Sequence, residues 1–391
     1  MVRKYGGKIV YAKQMKVIFT IDALINAGTE KSILDITSVL SQRMEVKVIY
    51  FYPRHDLKES FEAARVPLKF MNLSGKRSFF MGIKKLRKVL NEEKPDIVVS
   101  SILRANLMSR IACKLTKTKL VGTFISDSYS AERQTSFSGR RKMGAYFFYW
   151  LDRITAGIPL AWISNSQSIK KSNTAFLKVD TKIVQVIYRG RDPVKFKRYE
   201  RAYFDGCFKF VFMGRLLQTK GLEELIEAFN LVLERFPAIE LDIYGEGSFR
   251  NQLTQKITDL GLDKKIILHG AVANGWKKLY DADCFIFPSW YEGFSGSLVE
   301  AMMVGIPIIA SDIPMNLEAV TNEKTALIHR VKDKHSIAEQ MITMVTGYGE
   351  MIGMGQLARE EALQRFDIKI IVNQYESFLR MVSTKSCHNT V

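Results

Sequence analysis

Two glutamates that flank a helix start stand in the most informative segment of this 391-residue chain, PSWYEGFSGSLVEAMMVGIPIIASD (288–312). Glu292 lies in a glycine-containing loop after an apolar strand, and Glu300 lies about one turn inside the following helix. The helix begins near Ser295, and the unsatisfied N–H groups of such a start form an anion site suited to phosphate. The two carboxylates can accept hydrogen bonds from hydroxyl groups such as those of a ribose or a sugar. The alternative is an ordinary helix start with a solvent-facing Glu300.

Two cations follow another apolar strand, in FMGRLLQTKGLEELIEAF (212–229). The strand ends at Gly214, and Arg215 and Lys220 precede an amphipathic helix. Arginine offers a bidentate fork and lysine a point charge, so together they can neutralise a diphosphate. Cations are common in surface loops, and the pair gains meaning only beside the acidic segment. The two segments together predict a site for a phosphorylated ligand.

Strand and helix patterns alternate from residue 15 almost to the C-terminus, which is typical of parallel α/β sheets. A polar, basic stretch at 189–206 separates two such series. We therefore expect two doubly wound sheets, with ligands bound outside the carboxyl ends of the strands and in a cleft between the domains. The predicted boundaries are 1–14 for an extension, 15–195 and 196–370 for two Rossmann-like domains, and 371–391 for a C-terminal helix and tail that packs back on the first domain.

The charge is distributed unevenly along the chain. Residues 1–200 hold 38 Lys and Arg against 16 Asp and Glu, a net +22, whereas residues 201–391 hold 20 against 24, a net −4. A basic half attracts nucleic acid, anionic lipid headgroups or phosphorylated substrates, and a merely soluble basic surface is the alternative. The four cysteines show no CxxC spacing and the five histidines no HExxH-like pair, which argues against a disulfide scaffold or zinc site and favours a reducing cytosol.

Membrane contact is expected to be peripheral. The first residues lack the apolar region of a signal peptide, and the longest aromatic-apolar run (144–151) is far shorter than the ~20 residues that span a bilayer. Two basic and aromatic clusters, at 75–94 and 138–153, favour binding to an anionic membrane surface. The alternative for the first cluster is a helix whose apolar side packs on its own sheet. The expected membrane residues are Phe79, Phe80, Lys84, Lys85, Arg87, Lys88, Arg140 and Arg141.

With these motifs in place, the chain resembles the retaining glycosyltransferases of family 4, whose GT-B fold has two facing Rossmann-like domains. The resemblance covers nearly all of residues 15–382 and is densest over 208–320. Glu292 and Glu300 match the family's E-x7-E motif. The other matching segments are AGTEKSILDI (27–36), VIYRGRDPVKF (186–196), GRLLQTKG (214–221), YGEGSFRNQL (244–253) and HGAV (269–272).

The resemblance implies a role for each matched residue. Arg215 and Lys220 would stabilise the leaving nucleoside diphosphate, and Glu300 would hold the ribose. Glu292 and the backbone of Gly293 to Ser295 would position the donor sugar and phosphate. Fixed cations and N–H groups can stabilise that charge without a metal, so neither a metal nor another cofactor is expected. Attack from the face that the diphosphate leaves would retain the anomeric configuration. The implied donor-binding residues are Gly28 and Thr29 in the first domain and Gly214, Gly245, Gly247, Gly293, Phe294, Ser295, Leu298 and Glu300 in the second.

The chain departs from the family pattern at three positions. Where members often have a histidine after the fifth strand, this chain has Ile125-Ser126-Asp127, so the role is vacant or passes to a catalytic Asp127. Ser295 stands where proline is frequent, and Ala27-Gly28 stands where two glycines are common. Asp281-Ala282-Asp283 spells the D-x-D metal motif of the other glycosyltransferase fold, but it precedes a strand instead of following one. No metal site is expected there.

The sequence therefore predicts an α/β protein of the GT-B fold that acts as a retaining hexosyltransferase. It would move a sugar from a UDP- or GDP-linked donor to a growing, lipid-linked glycan of bacterial surface polysaccharide, at the inner face of the cell membrane in the cytoplasm. One alternative is another GT-B enzyme, an epimerase or phosphorylase, which the E-x7-E motif and the lack of a recognisable pyridoxal-phosphate lysine disfavour. The other is a non-enzymatic nucleic-acid binder, which would need neither glutamate. Nucleic acid is not an expected partner.

Overall fold

The computed structural model describes residues 2–5, 8–11, 14–74, 78–127, 129, 139–200 and 206–385, with only the backbone for 2–5, 8–11 and 139–145. The chain divides into two compact units. The break after Tyr188 precedes the predicted boundary at 195/196, because the N–H of Arg191 already donates to the carbonyl of Phe366 (2.8 Å) within the second unit. Unit 1 comprises residues 1–165, 169–188 and 368–391, and unit 2 comprises residues 166–168 and 189–367.

Unit 1 contains, among its described residues, a seven-stranded parallel sheet. An antiparallel hairpin of β1 (Val2–Tyr5) and β2 (Lys8–Tyr11) precedes it, within the stretch expected to be an extension. The strands of the sheet are β3 (Lys16–Ile21), β4 (Glu45–Tyr50), β5 (Leu68–Phe70), β6 (Ile97–Ser100), β7 (Leu120–Phe124), β8 (Ala161–Ser164) and β9 (Val184–Val186). Their order is β5-β4-β3-β6-β7-β8-β9, so the order reverses between β3 and β6, where doubly wound sheets bind ligands.

Unit 2 has the same arrangement in a six-stranded parallel sheet, counted over its described residues. The strands are β10 (Phe208–Met213), β11 (Ile239–Tyr244), β12 (Ile266–Gly270), β13 (Cys284–Phe287), β14 (Ile308–Ser311) and β15 (Leu327–His329). Their order is β12-β11-β10-β13-β14-β15, and the reversal falls between β10 and β13. These are the two strands that precede the predicted basic and acidic segments. The two parallel sheets confirm the predicted doubly wound α/β class.

Helices follow the strands in both units. In chain order they are α1 (Gly28–Leu40), α2 (Lys58–Ala63), α3 (Ser78–Glu93), α4 (Leu103–Thr116), α5 (Gly139–Thr155), α6 (Gln167–Leu177), α7 (Leu222–Leu233), α8 (Arg250–Asp259), α9 (Gly296–Val304), α10 (Pro314–Leu317), α11 (Lys334–Thr346), α12 (Tyr348–Arg365) and α13 (Ile368–Thr384). Among the residues described, no helix is long and apolar enough to cross a membrane.

Most residues of the central strands are apolar because both faces of each sheet are covered, as parallel sheets require. In unit 1 the helices α1 and α13 supply Ile36 and Leu379 to the core on one face. The helices α3 and α4 supply Leu86 and Met108 on the other. The C-terminal helix thus packs within unit 1, although unit 2 separates it from that unit in sequence. Because helices cover both faces of the sheet, the carboxyl ends of the strands and the loops that follow them are the parts that can bind a ligand.

Candidate functional site

The start of α9 is built as a capped helix N-terminus. Ser295 is the N-cap, and its Oγ accepts a hydrogen bond from the N–H of Leu298 (3.3 Å). The serine that stands where the family often has proline therefore does the work of a cap. The first N–H groups of an α-helix lack acceptors within the helix, so this end can bind an anion. The helix start predicted near Ser295 is confirmed.

The loop before α9 is anchored from inside unit 2. Phe294 and Leu298 are each 1% exposed, and the ring of Phe294 meets the edge of the Phe366 ring at a centroid distance of 5.5 Å. Both were expected to bind a donor. Their burial shows that their side chains hold the loop in place, whereas Glu292, Gly293, Gly296 and Ser297 of this segment stay partly exposed.

Lys220 and Glu292, from the two predicted segments, form an ion pair. The Lys220 ammonium donates to Oε1 of Glu292, and each side chain is 13% exposed. The two loops also touch through their backbones, because the N–H of Trp290 donates to the carbonyl of Thr219 (2.9 Å). Gly221 has φ +67°, and a Cβ there would lie 2.1 Å from the carbonyl oxygen of Pro288. The structure therefore brings the predicted cation and the first predicted glutamate together.

The predicted glycines allow a second close contact between loops. Gly245 has φ +151°, and a Cβ there would lie 1.8 Å from the carbonyl oxygen of Gly214. A Cβ at Gly247 would lie 2.1 Å from the carbonyl oxygen of Leu216. The loop after β11 thus packs directly on the loop after β10, and it needs glycine to do so. Arg215, between these contacts, is exposed and forms no ion pair with any described residue.

Glu300 has a partner that the sequence analysis missed. Nε of Arg191 donates to Oε1 of Glu300 at 2.8 Å, and the arginine side chain is only 6% exposed. The sequence analysis named residues 186–196 as a matching segment and gave Arg191 no role. Glu300 itself indicated that such a partner exists, because a carboxylate on an otherwise apolar helix needs a cation or hydrogen-bond donors nearby.

The predicted residues of unit 1 lie at the carboxyl ends of β3 and β7. Gly28 and Thr29 begin α1 after an extended Ala27. Asp127 follows β7, and its Oδ1 accepts a hydrogen bond from the hydroxyl of Ser172 (2.6 Å) on α6. The amide of Asn165 supports the same loop by donating to the carbonyl of Ile125 (2.9 Å). Asp127 is therefore held in a defined position on the ligand-binding edge of the first sheet.

A second carboxylate on this edge, Asp22, was missed by the sequence analysis. Its Oδ1 accepts a hydrogen bond from the N–H of Ala105 (2.7 Å), in the first turn of α4. Burial raises the pKa of Asp22 to about 6. Beside it, Ile102 has φ +71°, a strained conformation for a β-branched residue. The signal that could have found Asp22 is its position directly after the central strand of the sheet.

The predicted membrane helix α3 buries most of its apolar side. Ile83, Leu86 and Leu90 lie in the core of unit 1, and Phe79 packs against that core. The alternative that the apolar side of this helix packs on its own sheet is therefore correct, and it holds for Phe79 as well. Lys85 is also occupied, because its ammonium donates to the carbonyl of Met71 (2.7 Å). The residues of this helix that stay exposed are Phe80, Met81, Lys84, Arg87, Lys88, Asn91 and Glu92.

The exposed aromatic residues are concentrated on α5. Phe147 and Trp150 are each 59% exposed, and Tyr146 and Ile154 are exposed beside them. Their spacing places all four on one side of the helix, whereas Tyr149 is buried. We call these four residues the α5 stripe. The side chains of Arg140 and Arg141, also expected to contact a membrane, lie outside the described residues.

The D-x-D sequence lies at the opposite end of β13 from Glu292. Asp283 is buried and accepts hydrogen bonds from the N–H of Lys209 (2.8 Å) and the hydroxyl of Tyr348 (3.3 Å). Asp281 is exposed at the end of a 3₁₀ segment. Over the part of the chain that the structure describes, no group of three or more His, Cys, Asp or Glu side chains could hold a metal ion. Asp283 serves the packing of unit 2.

Two models of glycosyltransferase domains match consecutive parts of the chain. Residues 27–195 match Glycosyltransferase Family 4, and residues 196–360 match Glycosyl transferases group 1. The chain is 29% identical over 242 residues to an uncharacterized glycosyltransferase, MJ1059, of Methanocaldococcus jannaschii. That match covers 58% of this chain and 58% of the relative, so the chain spans about three fifths of that relative's length.

A second relative and a solved structure match most of the chain. The UDP-Gal:alpha-D-GlcNAc-diphosphoundecaprenol alpha-1,3-galactosyltransferase of Escherichia coli is 26% identical over 342 residues, 84% of this chain and 86% of the relative. The crystal structure of Anabaena Alr3699/HepE in complex with UDP has a TM-score of 0.80 at 20% identity, over 94% of this chain and all of that one. The matched domains, these relatives and the shared fold place the chain in the glycosyltransferases of the GT-B fold.

Proposed function

We propose that the chain is a retaining hexosyltransferase that takes its sugar from a nucleotide-sugar donor bound by unit 2. The observation that carries the proposal is the set of groups at the carboxyl ends of β10 and β13. The Lys220–Glu292 ion pair, the capped start of α9 and the Glu300 carboxylate all lie there. A cation and a helix N-terminus suit a diphosphate, and carboxylates suit the hydroxyls of a ribose and a sugar.

The chemistry follows from where charge develops. As the bond between the anomeric carbon and the phosphate oxygen breaks, negative charge grows on the nucleoside diphosphate. The N–H groups of α9, the Lys220 ammonium and the exposed Arg215 guanidinium stabilise that charge from fixed positions, which is how preorganised sites accelerate reactions. The acceptor hydroxyl attacks from the face that the diphosphate leaves, and its proton passes to the leaving phosphate oxygen. No metal or other cofactor is needed in this scheme.

Two of the comparisons favour UDP over GDP as the donor nucleotide. The HepE structure contains UDP, and the E. coli relative is named for UDP-Gal. The name of that relative also includes a diphosphoundecaprenol acceptor. A lipid-linked glycan acceptor, of the kind used to build bacterial surface polysaccharide, fits the net +22 of residues 1–200, because lipid diphosphates and anionic headgroups attract basic surfaces.

We further propose that unit 1 binds the inner face of the cell membrane peripherally. The structure revises which residues would do this. Phe80, the α5 stripe and the exposed cations Lys84, Arg87 and Lys88 are available, whereas Phe79 and Lys85 serve the fold. Exposed aromatic residues beside cations are the pattern of an interfacial surface, in which the rings enter the headgroup region and the cations meet anionic lipid.

The first experiment measures thermal stabilisation of the purified protein by UDP, GDP and ADP in the presence of EDTA. A nucleotide at about 100 times its Kd adds about 2.7 kcal/mol to the free energy of unfolding, which is a clear rise in Tm. We expect UDP to give that rise and Arg215→Met to reduce it strongly. Arg235→Met is the matched control, because Arg235 is also exposed in unit 2 and its guanidinium lies over Phe236 (5.3 Å).

Absence of stabilisation by all three nucleotides would overturn the proposed function. Stabilisation by UDP that requires a divalent cation would overturn metal independence alone. Retention is tested separately on the product. With an α-linked UDP-sugar as donor, proton NMR of the newly formed linkage should show the small anomeric coupling constant of an α-glycoside, and a β-linked product would contradict the retaining mechanism.

A further inference from the structure

Glu300 uses only one of its two carboxylate oxygens within the protein. Oε1 accepts the hydrogen bond from Nε of Arg191 at 2.8 Å, and the Glu300 side chain is 19% exposed. Within the described ranges of the chain, no residue donates a hydrogen bond to Oε2. An arginine fork often binds both oxygens of a carboxylate, whereas Arg191 contacts Glu300 through Oε1. The arrangement leaves one oxygen of a mostly buried carboxylate for a hydroxyl donor from outside the protein.

Arg191 is itself held at several points. Its backbone N–H donates to the carbonyl of Phe366 (2.8 Å), and its Nη1 donates to the carbonyl of Gly190 (3.0 Å). Its Nη2 lies against the first residue of α9, because a Cβ at Gly296 would be 2.2 Å from that atom. The guanidinium therefore has one position relative to α9, and it touches both the start of the helix and the carboxylate inside it.

We propose that Arg191 is a positioning residue for ribose recognition. It holds the Glu300 carboxylate in the orientation in which Oε2 accepts hydrogen bonds from the 2′- and 3′-hydroxyls of the donor nucleotide. The inference rests on the proposed function, in which unit 2 binds that nucleotide. A glutamate side chain has three rotatable bonds, and ordering it on binding reduces affinity. Arg191 orders it before the ligand arrives, and its planar guanidinium does so more rigidly than a lysine could.

The experiment compares the affinities of UDP and 2′,3′-dideoxy-UDP by isothermal titration calorimetry. Wild type should bind UDP at least tenfold more tightly, because the analogue leaves the oriented oxygen without a donor. Glu300→Gln should reduce that ratio to about twofold, and Arg191→Met should reduce it as far. The double variant should show no further loss, since both changes remove the same interaction. Arg198→Met is the control, because Arg198 is an arginine of unit 2 whose Nε donates to Gln356 (2.8 Å), away from Glu300.

The ratio separates positioning from a structural role. A variant that merely weakens the fold loses affinity for both nucleotides and keeps their ratio, so a wild-type ratio in folded Arg191→Met overturns the inference while UDP binding by wild type upholds the proposed function. No binding of UDP by wild type would instead defeat the proposed function. If Arg191→Met does not fold, Gly296→Ala tests the same contact, because the added methyl displaces the guanidinium without removing a charge. An unchanged ratio in that variant also overturns the inference.

Discussion

The ion pairs of the two units differ in how completely their carboxylates are used. In unit 1, Arg110 and Asp152 are buried together, and Asp152 accepts from Arg110 through one oxygen and from the Tyr129 hydroxyl through the other. In unit 2, Glu292 and Glu300 each meet one cation, at the carboxyl edge of the sheet and partly exposed. A saturated carboxylate inside a core stabilises the fold, whereas an unsaturated one at an edge can bind a ligand.

The position of each pair relative to its sheet explains why one carboxylate is fully hydrogen-bonded and the others are not. Arg110 lies on α4, its guanidinium lies over the Trp162 ring of β8 at 4.8 Å, and Asp152 comes from α5, so the pair is enclosed between the sheet and the helices that cover it. Lys220 and Glu292 come from the loops after β10 and β13, where the strand order reverses. Loops at this reversal diverge and leave space for a ligand. Removing one charge at a time tests whether the pairs of unit 2 bind a ligand and the pair of unit 1 stabilises the fold.

The largest effect is expected for Lys220→Met. The change leaves Glu292 without its cation and removes a fixed positive charge from the leaving group, so turnover should fall about 10³-fold, or about 4 kcal/mol in the activation free energy. Release of UDP in a coupled assay with an established acceptor measures it. Lys278→Met is the control, because Lys278 pairs with the exposed Asp281 (3.5 Å), away from Glu292. Activity within tenfold of wild type would show that the Lys220 pair is structural, like the one in unit 1.

The next effect is on stability and should appear at the pair in unit 1. Arg110→Met leaves Asp152 buried without a cation, which should lower the free energy of unfolding by about 3–5 kcal/mol. Urea denaturation measures the change, and the affinity for UDP of the folded fraction should be unaltered. Arg43→Met is the matched control, since its pair with Glu376 (3.1 Å) is at the surface and should contribute at most about 1 kcal/mol. A loss as small as in the control would mean that the buried pair stabilises no more than a surface pair.

The elements of both sheets could be predicted from the sequence because their signals are local. Apolar runs gave the strands, and Ser295 gave the start of α9 to within a residue. The partners of the charged residues could not be predicted in this way. Arg191 and Glu300 are 109 positions apart, and Arg110 and Asp152 are 42 apart, so only the folded chain shows that they meet. Local patterns specify where a side chain lies on its helix or strand. Which charged side chains form ion pairs depends on how the chain brings distant elements together.

The proposed membrane surface is a second feature that local sequence patterns predicted incompletely. Helical spacing correctly placed Ile83 and Leu86 on one side of α3, but spacing alone does not say whether that side meets a sheet or a bilayer. On α5 the aromatic residues are adjacent in sequence, and the structure separates the buried Tyr149 from the exposed Phe147 and Trp150. The ring of Tyr149 meets those of Tyr129 (5.1 Å) and Phe176 (6.1 Å), so packing within the unit decides which of these aromatic residues stay exposed. The candidate surface therefore keeps Phe80 and the exposed cations of α3 and takes its other aromatic residues from α5.

A third prediction concerns Asp22, an edge carboxylate of unit 1 that burial keeps difficult to ionise. Because its pKa is about 6 in the folded protein and 3.8 ordinarily, the folded state holds the proton more tightly. Its ionisation thus costs stability progressively as the pH rises from about 4 through 6. Asp22→Asn should raise the free energy of unfolding by up to about 3 kcal/mol at pH 8, and the gain should shrink towards pH 5. Urea titrations at pH 8, 6.5 and 5 measure it, and a gain independent of pH would contradict the explanation.

The smallest expected effects are on vesicle binding by variants of the α5 stripe. The comparison is with an exposed apolar residue of unit 2, which is not expected to contact a membrane. Phe147→Ser and Trp150→Ser should each weaken binding to vesicles of phosphatidylglycerol and phosphatidylcholine about fivefold, because each ring loses about 1 kcal/mol of transfer free energy from a half-exposed position. Sedimentation with the vesicles measures it, with Leu357→Ser as the control because Leu357 is 43% exposed on α12.

The vesicle experiment also separates the two parts of the proposed surface. If rings and cations act together, the double variant Phe147→Ser/Trp150→Ser should retain weak binding that disappears at high salt, because Lys84, Arg87 and Lys88 still attract anionic lipid. Vesicles of phosphatidylcholine alone should bind wild type poorly, since the cations then have no partner. Binding of the double variant equal to wild type would exclude the α5 stripe from the membrane surface. A shift of the same variant from dimer to monomer on gel filtration would assign the stripe to contact between two copies of the chain instead.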